Sequence, residues 1–105
     1  MDKKLLIAKN TQTPGFVLAQ ILGATDDVEV IMAVASNPNT PGYVLNNVFE
    51  KAESDKVVLA VARNRNTPGY VLNKIFESTD SDEIIRAVAG NSNVPGYVLS
   101  KIAGV

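Results

Sequence analysis

The sequence predicts an all-α fold in which a two-helix unit of 27 residues is repeated along the chain. Three observations predict this fold. Pro-Gly pairs recur at a constant spacing, apolar residues at helical spacing follow each pair, and an alanine-rich apolar segment precedes the next Pro-Gly pair. The pairs, 27 residues apart, are Pro14-Gly15, Pro41-Gly42, Pro68-Gly69 and Pro95-Gly96. A fixed period of about 20–50 residues is typical of helical solenoids, because one unit cannot bury its own apolar face.

The repeat covers the whole chain as one domain, residues 1–105. Residues 37–63 and 64–90 are identical at 16 of 27 positions. The predicted parts are an N-terminal half unit over 1–9, full units over 10–36, 37–63 and 64–90, and a C-terminal half unit over 91–105. Positions related by the 27-residue period are called a column below. Lys3 and Lys4 stand in the columns of Val30 and Ile31, which indicates a polar N-terminal cap.

The first helix of each unit, helix A, is expected to begin at the Pro-Gly pair. Thr40 is predicted to be the N-cap and Pro41 the first helical residue, where its missing N–H costs nothing. Apolar residues then follow at helical spacing from Tyr43 to Phe49. In the last unit Val94 replaces the threonine, so we expect a cap weaker by about 1 kcal/mol.

The second helix, helix B, is predicted to begin at an acid or serine cap: Asp27 or its neighbours, Ser54-Asp55, and Ser81-Asp82. The segments that follow, "VIMAVAS", "VVLAVAR" and "IIRAVAG", are apolar nearly all round, as expected of a short helix between neighbours. Their β-branched residues would also suit a strand. The alanine content favours a helix, either a short α-helix or a tight 3₁₀ helix.

The segments "AVASNPNTPGYVL" and "AVARNRNTPGYVL" resemble the repeat of the leucine-rich repeat variant family. The resemblance recurs in every unit and implies alternating α and 3₁₀ helices wound into a right-handed superhelix without β-sheet. The unit here is longer than is usual in that family, with the surplus expected in the connection from helix A to helix B. The family's cysteine-rich cluster-binding segment is missing, so no iron–sulfur role carries over. The resemblance implies an interaction scaffold and no catalytic residues.

The composition argues against an enzyme. The 105 residues include no cysteine and no histidine, so the commonest general base, thiolate nucleophiles and zinc–thiolate sites are excluded. We expect no cofactor and no metal. The net charge of −1 provides no long-range attraction for phosphate or anionic lipid. The apolar runs are too short for a membrane span or a secretory signal, so the expected location is the cytoplasm.

Two columns keep their residue type through all four units. The asparagine column is interpreted as a structural ladder in which each side chain bonds the backbone of a turn. Its members are Asn10, Asn37, Asn64 and Asn91. The aromatic column could be a stacking platform for a base or peptide, but is more often half buried in the core. Its members are Phe16, Tyr43, Tyr70 and Tyr97.

Specificity in a repeat array is usually placed in columns that vary. Met32, Leu59 and Arg86 share one column, and a position that accepts arginine is expected at the surface. Two helix A columns also vary in polarity. We therefore predict a partner-binding face that includes Met32, Leu59, Arg86, Asn46, Asn73, Asn47 and Lys74.

The leading hypothesis is a non-catalytic protein–protein interaction scaffold with an unidentified protein partner. The alternative is self-assembly into homo-oligomers or filaments, because helix A of the last half unit leaves an incompletely sealed C-terminal end. The apolar residues at that end are Val98, Leu99, Ile102 and Val105. Nucleic-acid binding is not expected, since the basic residues are scattered among acids.

Overall fold

A computed structural model of the protein describes residues 2–105, which form eight α-helices and no strand. The helices are α1 (Lys3–Lys9), α2 (Gly15–Gly23), α3 (Val28–Ser36), α4 (Gly42–Lys51), α5 (Asp55–Arg63), α6 (Gly69–Ser78), α7 (Asp82–Gly90) and α8 (Gly96–Ala103). The predicted all-α fold is thereby confirmed over this part of the chain.

The even-numbered helices begin one residue later than predicted. Pro41 is the N-cap of α4, with extended backbone (φ −66°, ψ 156°), and Thr40 makes no cap. Instead, the Thr40 hydroxyl donates a 2.6 Å hydrogen bond to the carbonyl of Val34, near the end of α3. Late helical carbonyls lack an intrahelical partner, and this bond satisfies one of them. The prediction of a threonine N-cap was therefore wrong: the hydroxyl closes the turn back onto the preceding helix.

The same bond recurs at the other threonines of this column. Thr67 donates to Val61 at 2.6 Å, and Thr13 donates to Ile7 at 2.7 Å. Val94 has no hydroxyl, so it cannot supply this bond before α8. Its substitution weakens the turn after α7 rather than a helix cap.

The odd-numbered helices α3, α5 and α7 begin at the predicted capping residues. The side chains of Asp27, Ser54 and Ser81 each accept a hydrogen bond from a backbone N–H in the first turn. Each helix has nine residues and is an α-helix. The bonds from Val58 N to Ser54 O and from Ile85 N to Ser81 O already span four residues. The 3₁₀ alternative for these helices was wrong, because the apolar segment is long enough for regular α-helical bonding.

The helices lie in two layers. In the odd layer, α1 contacts α3, α3 contacts α5 and α5 contacts α7. In the even layer, α2 contacts α4 and α4 contacts α6, while α8 packs against α7. Each helix also contacts the next one along the chain. The described chain measures 48 × 22 × 17 Å, so it is more than twice as long as it is wide.

The core runs between the two layers. Leu18, Leu45 and Leu72 occupy one column of the even helices and are fully buried. In the odd helices, Ala35 and Ala62 are fully buried, and their small side chains allow neighbouring helices to approach closely.

Glycine at the start of each even helix permits an equally close approach. A Cβ atom on Gly42 would lie 2.8 Å from Cγ of Pro68 and 3.1 Å from the carbonyl oxygen of Asn66. Gly15 meets Pro41 and Gly69 meets Pro95 in the same way. At Gly96, by contrast, an added Cβ would have no neighbour within 4 Å.

No helix between residues 2 and 105 combines the length and the apolar character needed to cross a membrane.

Candidate functional site

Two of the predicted partner-binding residues meet in a groove on the odd layer. Met32 of α3 and Leu59 of α5 are half-buried and line a depression of about 570 Å³. Half-buried Ala60 adds to its apolar surface, and Ala35 lies fully buried beneath it. All of its lining residues belong to α3, α5 or the turns that follow them. Arg86 is exposed on α7 and does not line this groove.

The groove has a basic rim. Lys56, Arg63 and Arg65 all line it. Arg63 pairs with Glu83 at 3.7 Å, but both side chains are more than half exposed, so this pair contributes little stability. The guanidinium therefore remains available to a ligand. An apolar floor bordered by three cations suits a ligand that carries both acidic and apolar groups.

A second groove of about 630 Å³ continues the first along the odd layer. The two grooves form one surface, because four residues line both of them: Met32, Ser36, Pro38 and Lys56. We call this surface, from α1 to α5, the odd-layer groove. Leu5 extends its apolar floor, and Lys9 extends its basic rim. Its remaining lining residues in this part are Thr11, Val28, Glu29, Ala33, Asn37 and Pro38.

The other predicted residues lie on the even layer, where most of them hold helices together. Lys74 of α6 donates a 2.7 Å hydrogen bond to Oδ1 of Asn46 and lies 3.8 Å from a carboxylate oxygen of Glu50. Its Nζ is also 5.6 Å from the centre of the Phe49 ring. Asn46 in turn donates to Glu50 at 3.2 Å. These polar side chains join α4 to α6.

The same arrangement is repeated one unit further on. Lys101 donates to Oδ1 of Asn73 at 3.3 Å and lies 3.7 Å from Glu77. Asn47 is exposed on α4. The structure therefore divides the predicted face: Met32 and Leu59 share a groove on the odd layer, whereas Asn46, Asn73 and Lys74 form helix-to-helix contacts on the even layer.

The asparagine column forms a continuous ladder of buried hydrogen bonds. Asn64 Nδ2 donates to the carbonyls of Ala35 at 2.8 Å and Asn37 at 3.1 Å, both at the C-terminal end of α3. Its Oδ1 accepts from the backbone N–H of Asn66 at 2.9 Å. Asn37 and Asn91 repeat all three bonds. Each side chain thus shapes its own turn and ties that turn to the one before.

A second row of asparagines, Asn39, Asn66 and Asn93, lies two residues after the asparagine column and was not predicted from the sequence. Asn66 Nδ2 donates to the carbonyls of Pro38 at 2.7 Å and Thr40 at 3.0 Å. Asn93 donates in the same way to Arg65 and Thr67, and Asn39 to Thr11 and Thr13. The signal was present in the sequence, because asparagine recurs at 39, 66 and 93.

The aromatic column is more exposed than the half-buried core position expected for it. Phe16 is 64% exposed, and the three tyrosines are 53–58% exposed. The rings lie near the N-terminal ends of the even helices because each follows the Pro-Gly pair directly. Lys101 Nζ approaches the Tyr97 ring to 5.4 Å. The column therefore forms a surface row and does not fill the core.

Acidic residues do not converge anywhere in residues 2–105 into a group that could hold a metal ion. Comparisons of the chain with models of protein families, with curated proteins and with solved structures find no match.

Proposed function

We propose that the protein is a non-catalytic protein–protein interaction module of the cytoplasm, built as a right-handed solenoid of four 27-residue units like those of the leucine-rich repeat variant family. Hydrogen bonds that reach back 27 residues at three successive turns support the repeat. The two layers and the elongated shape are those expected of stacked helix pairs. Such arrays bind partners on extended surfaces.

The partner is a protein segment that carries both acidic and apolar side chains, and it binds in the odd-layer groove. The observation that carries this proposal is the combination of Met32 and Leu59 on the floor with Lys56, Arg63 and Arg65 on the rim. Apolar side chains of the segment would bury against the floor, and carboxylates would pair with the rim. The protein's overall charge of −1 gives no such preference, so the specificity is local.

Selection from a library of random peptides displayed on phage tests this proposal. The full 105-residue chain is the bait, and we expect peptides enriched in Asp and Glu interspersed with large apolar residues. The variant Met32→Glu/Leu59→Glu should bind the selected peptides at least tenfold more weakly, because it removes the apolar floor and repels the peptide carboxylates. Arg86 occupies the same column in α7, so a charged side chain is compatible with the helix at this position.

The matched control is Gln20→Glu/Ser100→Glu, which adds the same charge at two exposed positions of the even layer. It should bind the selected peptides as the unmodified chain does, and circular dichroism should show both variants folded. The proposal is wrong if no acidic peptides are enriched, or if the Met32→Glu/Leu59→Glu variant binds them as tightly as the control.

A further inference from the structure

The contacts between successive units are nearly identical at three places. At each one, an asparagine amide donates to two carbonyls at the C-terminal end of the preceding odd helix, and a proline packs on the glycine of the preceding unit. The leucine column of the even helices completes the contact, since Leu18, Leu45 and Leu72 are fully buried. We call this set of contacts the unit junction.

The outer face of α7 and α8 presents one half of a further unit junction. Leu99 is 42% exposed although the other leucines of its column are fully buried. An added Cβ at Gly96 would meet nothing within 4 Å. The carbonyls of Ala89 and Asn91 stand in the columns that accept the asparagine amide at the three other places, and no side chain of residues 2–105 donates to them.

The outer face of α1 and α2 presents the complementary half. Asn10 is exposed, and its Nδ2 has no hydrogen-bond partner among residues 2–105, although its Oδ1 shapes the turn by accepting from Gln12. Pro14 is exposed, whereas the prolines that pack on glycine are half-buried. Leu6 is 53% and Ile7 38% exposed, so this face is also apolar.

We propose that these two faces bind each other in separate copies of the chain, which thus associate head to tail. Asn10 of one copy donates to the carbonyls of Ala89 and Asn91 of another, and Pro14 packs on Gly96. The helix α1 then lies beside α7 and α8, as α3 lies beside α1 and α2. Because the two faces differ, the contact is heterologous, and its repetition gives an open row of copies and no closed dimer.

Lys3 limits the strength of this association. Its column contains Val30, Val57 and Ile84, all of which are at most 2% exposed. At the contact between copies, the Lys3 stem would occupy the same apolar position, and its ammonium group must reach water to avoid a desolvation cost. We therefore expect association at high micromolar concentration and a marked gain when the lysine is replaced by valine.

Sedimentation of the 105-residue chain, measured from about 10 µM to 1 mM, tests the proposal. The average mass should rise with concentration beyond that of two copies. Gly96→Ala should weaken association at least tenfold, because its methyl group would collide with Pro14 of the neighbouring copy. Lys3→Val should strengthen association at least tenfold.

Gly23→Ala is the matched control, since an added Cβ there also meets nothing within 4 Å and Gly23 has no place in the unit junction. It should associate as the unmodified chain does. A chain that stays monomeric over the whole range overturns the proposal, as does a mass that stops at two copies. Association that is equally strong in Gly96→Ala and Gly23→Ala overturns it too, because the contact must then lie elsewhere.

Discussion

At the scale of single residues, the buried asparagines are the main polar determinants of the structure. One Asn64 side chain bonds two carbonyls at the C-terminal end of α3 and one N–H of its own turn. Buried polar groups left without partners are costly, and among the described residues no buried side-chain polar atom lacks one. Asparagine suits this position because its amide donates two bonds while its oxygen accepts.

Asn64→Ala should lower the free energy of unfolding by about 2–3 kcal/mol. The Ala35 carbonyl and the Asn66 N–H would lose their partner, and the Asn37 carbonyl would keep only its bond from the Thr40 N–H. Asn10→Ala is the comparison, since Asn10 is exposed and makes only the bond to Gln12. It should cost less than about 1 kcal/mol. Urea denaturation followed by circular dichroism measures both, and equal losses would contradict the ladder's role in stability.

The sequence identified Asn37, Asn64 and Asn91 as turn residues, because asparagine in a Pro- and Thr-rich segment has few other uses. It could not identify the role of Thr40. A threonine before Pro-Gly can either cap the next helix or donate its hydroxyl to an earlier carbonyl. Which bond forms depends on the distance between the hydroxyl and the carbonyl of Val34 at the end of α3. Local helix propensity does not predict that distance.

At the scale of helices, the starts of α2, α4 and α6 each pack against the proline before the next even helix. Gly42 allows Pro68 and the carbonyl of Asn66 to pack directly on the backbone of α4. The two residues of the Pro-Gly pair therefore have different roles: the proline ends the turn, and the glycine leaves space for the proline of the next unit. The sequence predicted the turn from the spacing of the pairs. The contact between glycine and the next proline could be seen only in the structure, because it joins two units.

Gly42→Ala should destabilise the protein by about 1–3 kcal/mol, because a Cβ 2.8 Å from Pro68 Cγ forces the two helices apart. Gly96→Ala tests the same helix position without the neighbour. It should be neutral or stabilise by up to about 1 kcal/mol, since alanine is the better helix former. Thermal denaturation at low protein concentration gives both values, and a loss of stability in Gly96→Ala would point to a backbone effect instead of a collision.

At the scale of the whole molecule, the two layers separate the groove that we propose as the binding site from the lysine contacts that join successive even helices. The odd layer carries the groove of Met32 and Leu59, and the even layer carries the lysine contacts of Lys74 and Lys101. The 27-residue period revealed which columns vary. The sequence also placed these columns on helix A or helix B, but it could not show that the two helices lie in separate layers, because that depends on how successive units pack.

Leu72→Ala should cost about 2–5 kcal/mol, because this fully buried side chain packs between both layers and its removal leaves a cavity. Leu99→Ala, in the same column of α8, should cost less than about 1.5 kcal/mol since its side chain is 42% exposed. Urea denaturation compares them at a concentration at which the chain is monomeric. A Leu72→Ala loss below about 0.5 kcal/mol would show that the even helices carry little of the stability.

The reach of the asparagine side chains also constrains how such a gene can change in length. Each amide finds its acceptors 27 and 29 residues back, so deletion or duplication of a block of 27 codons regenerates the same bonds at the new boundary. A block of 26 or 28 codons would bring the amide opposite the wrong peptide group. The fold therefore tolerates recombination between copies of the repeat only in whole units. The number of units can change from one gene to another, whereas the length of a unit stays fixed.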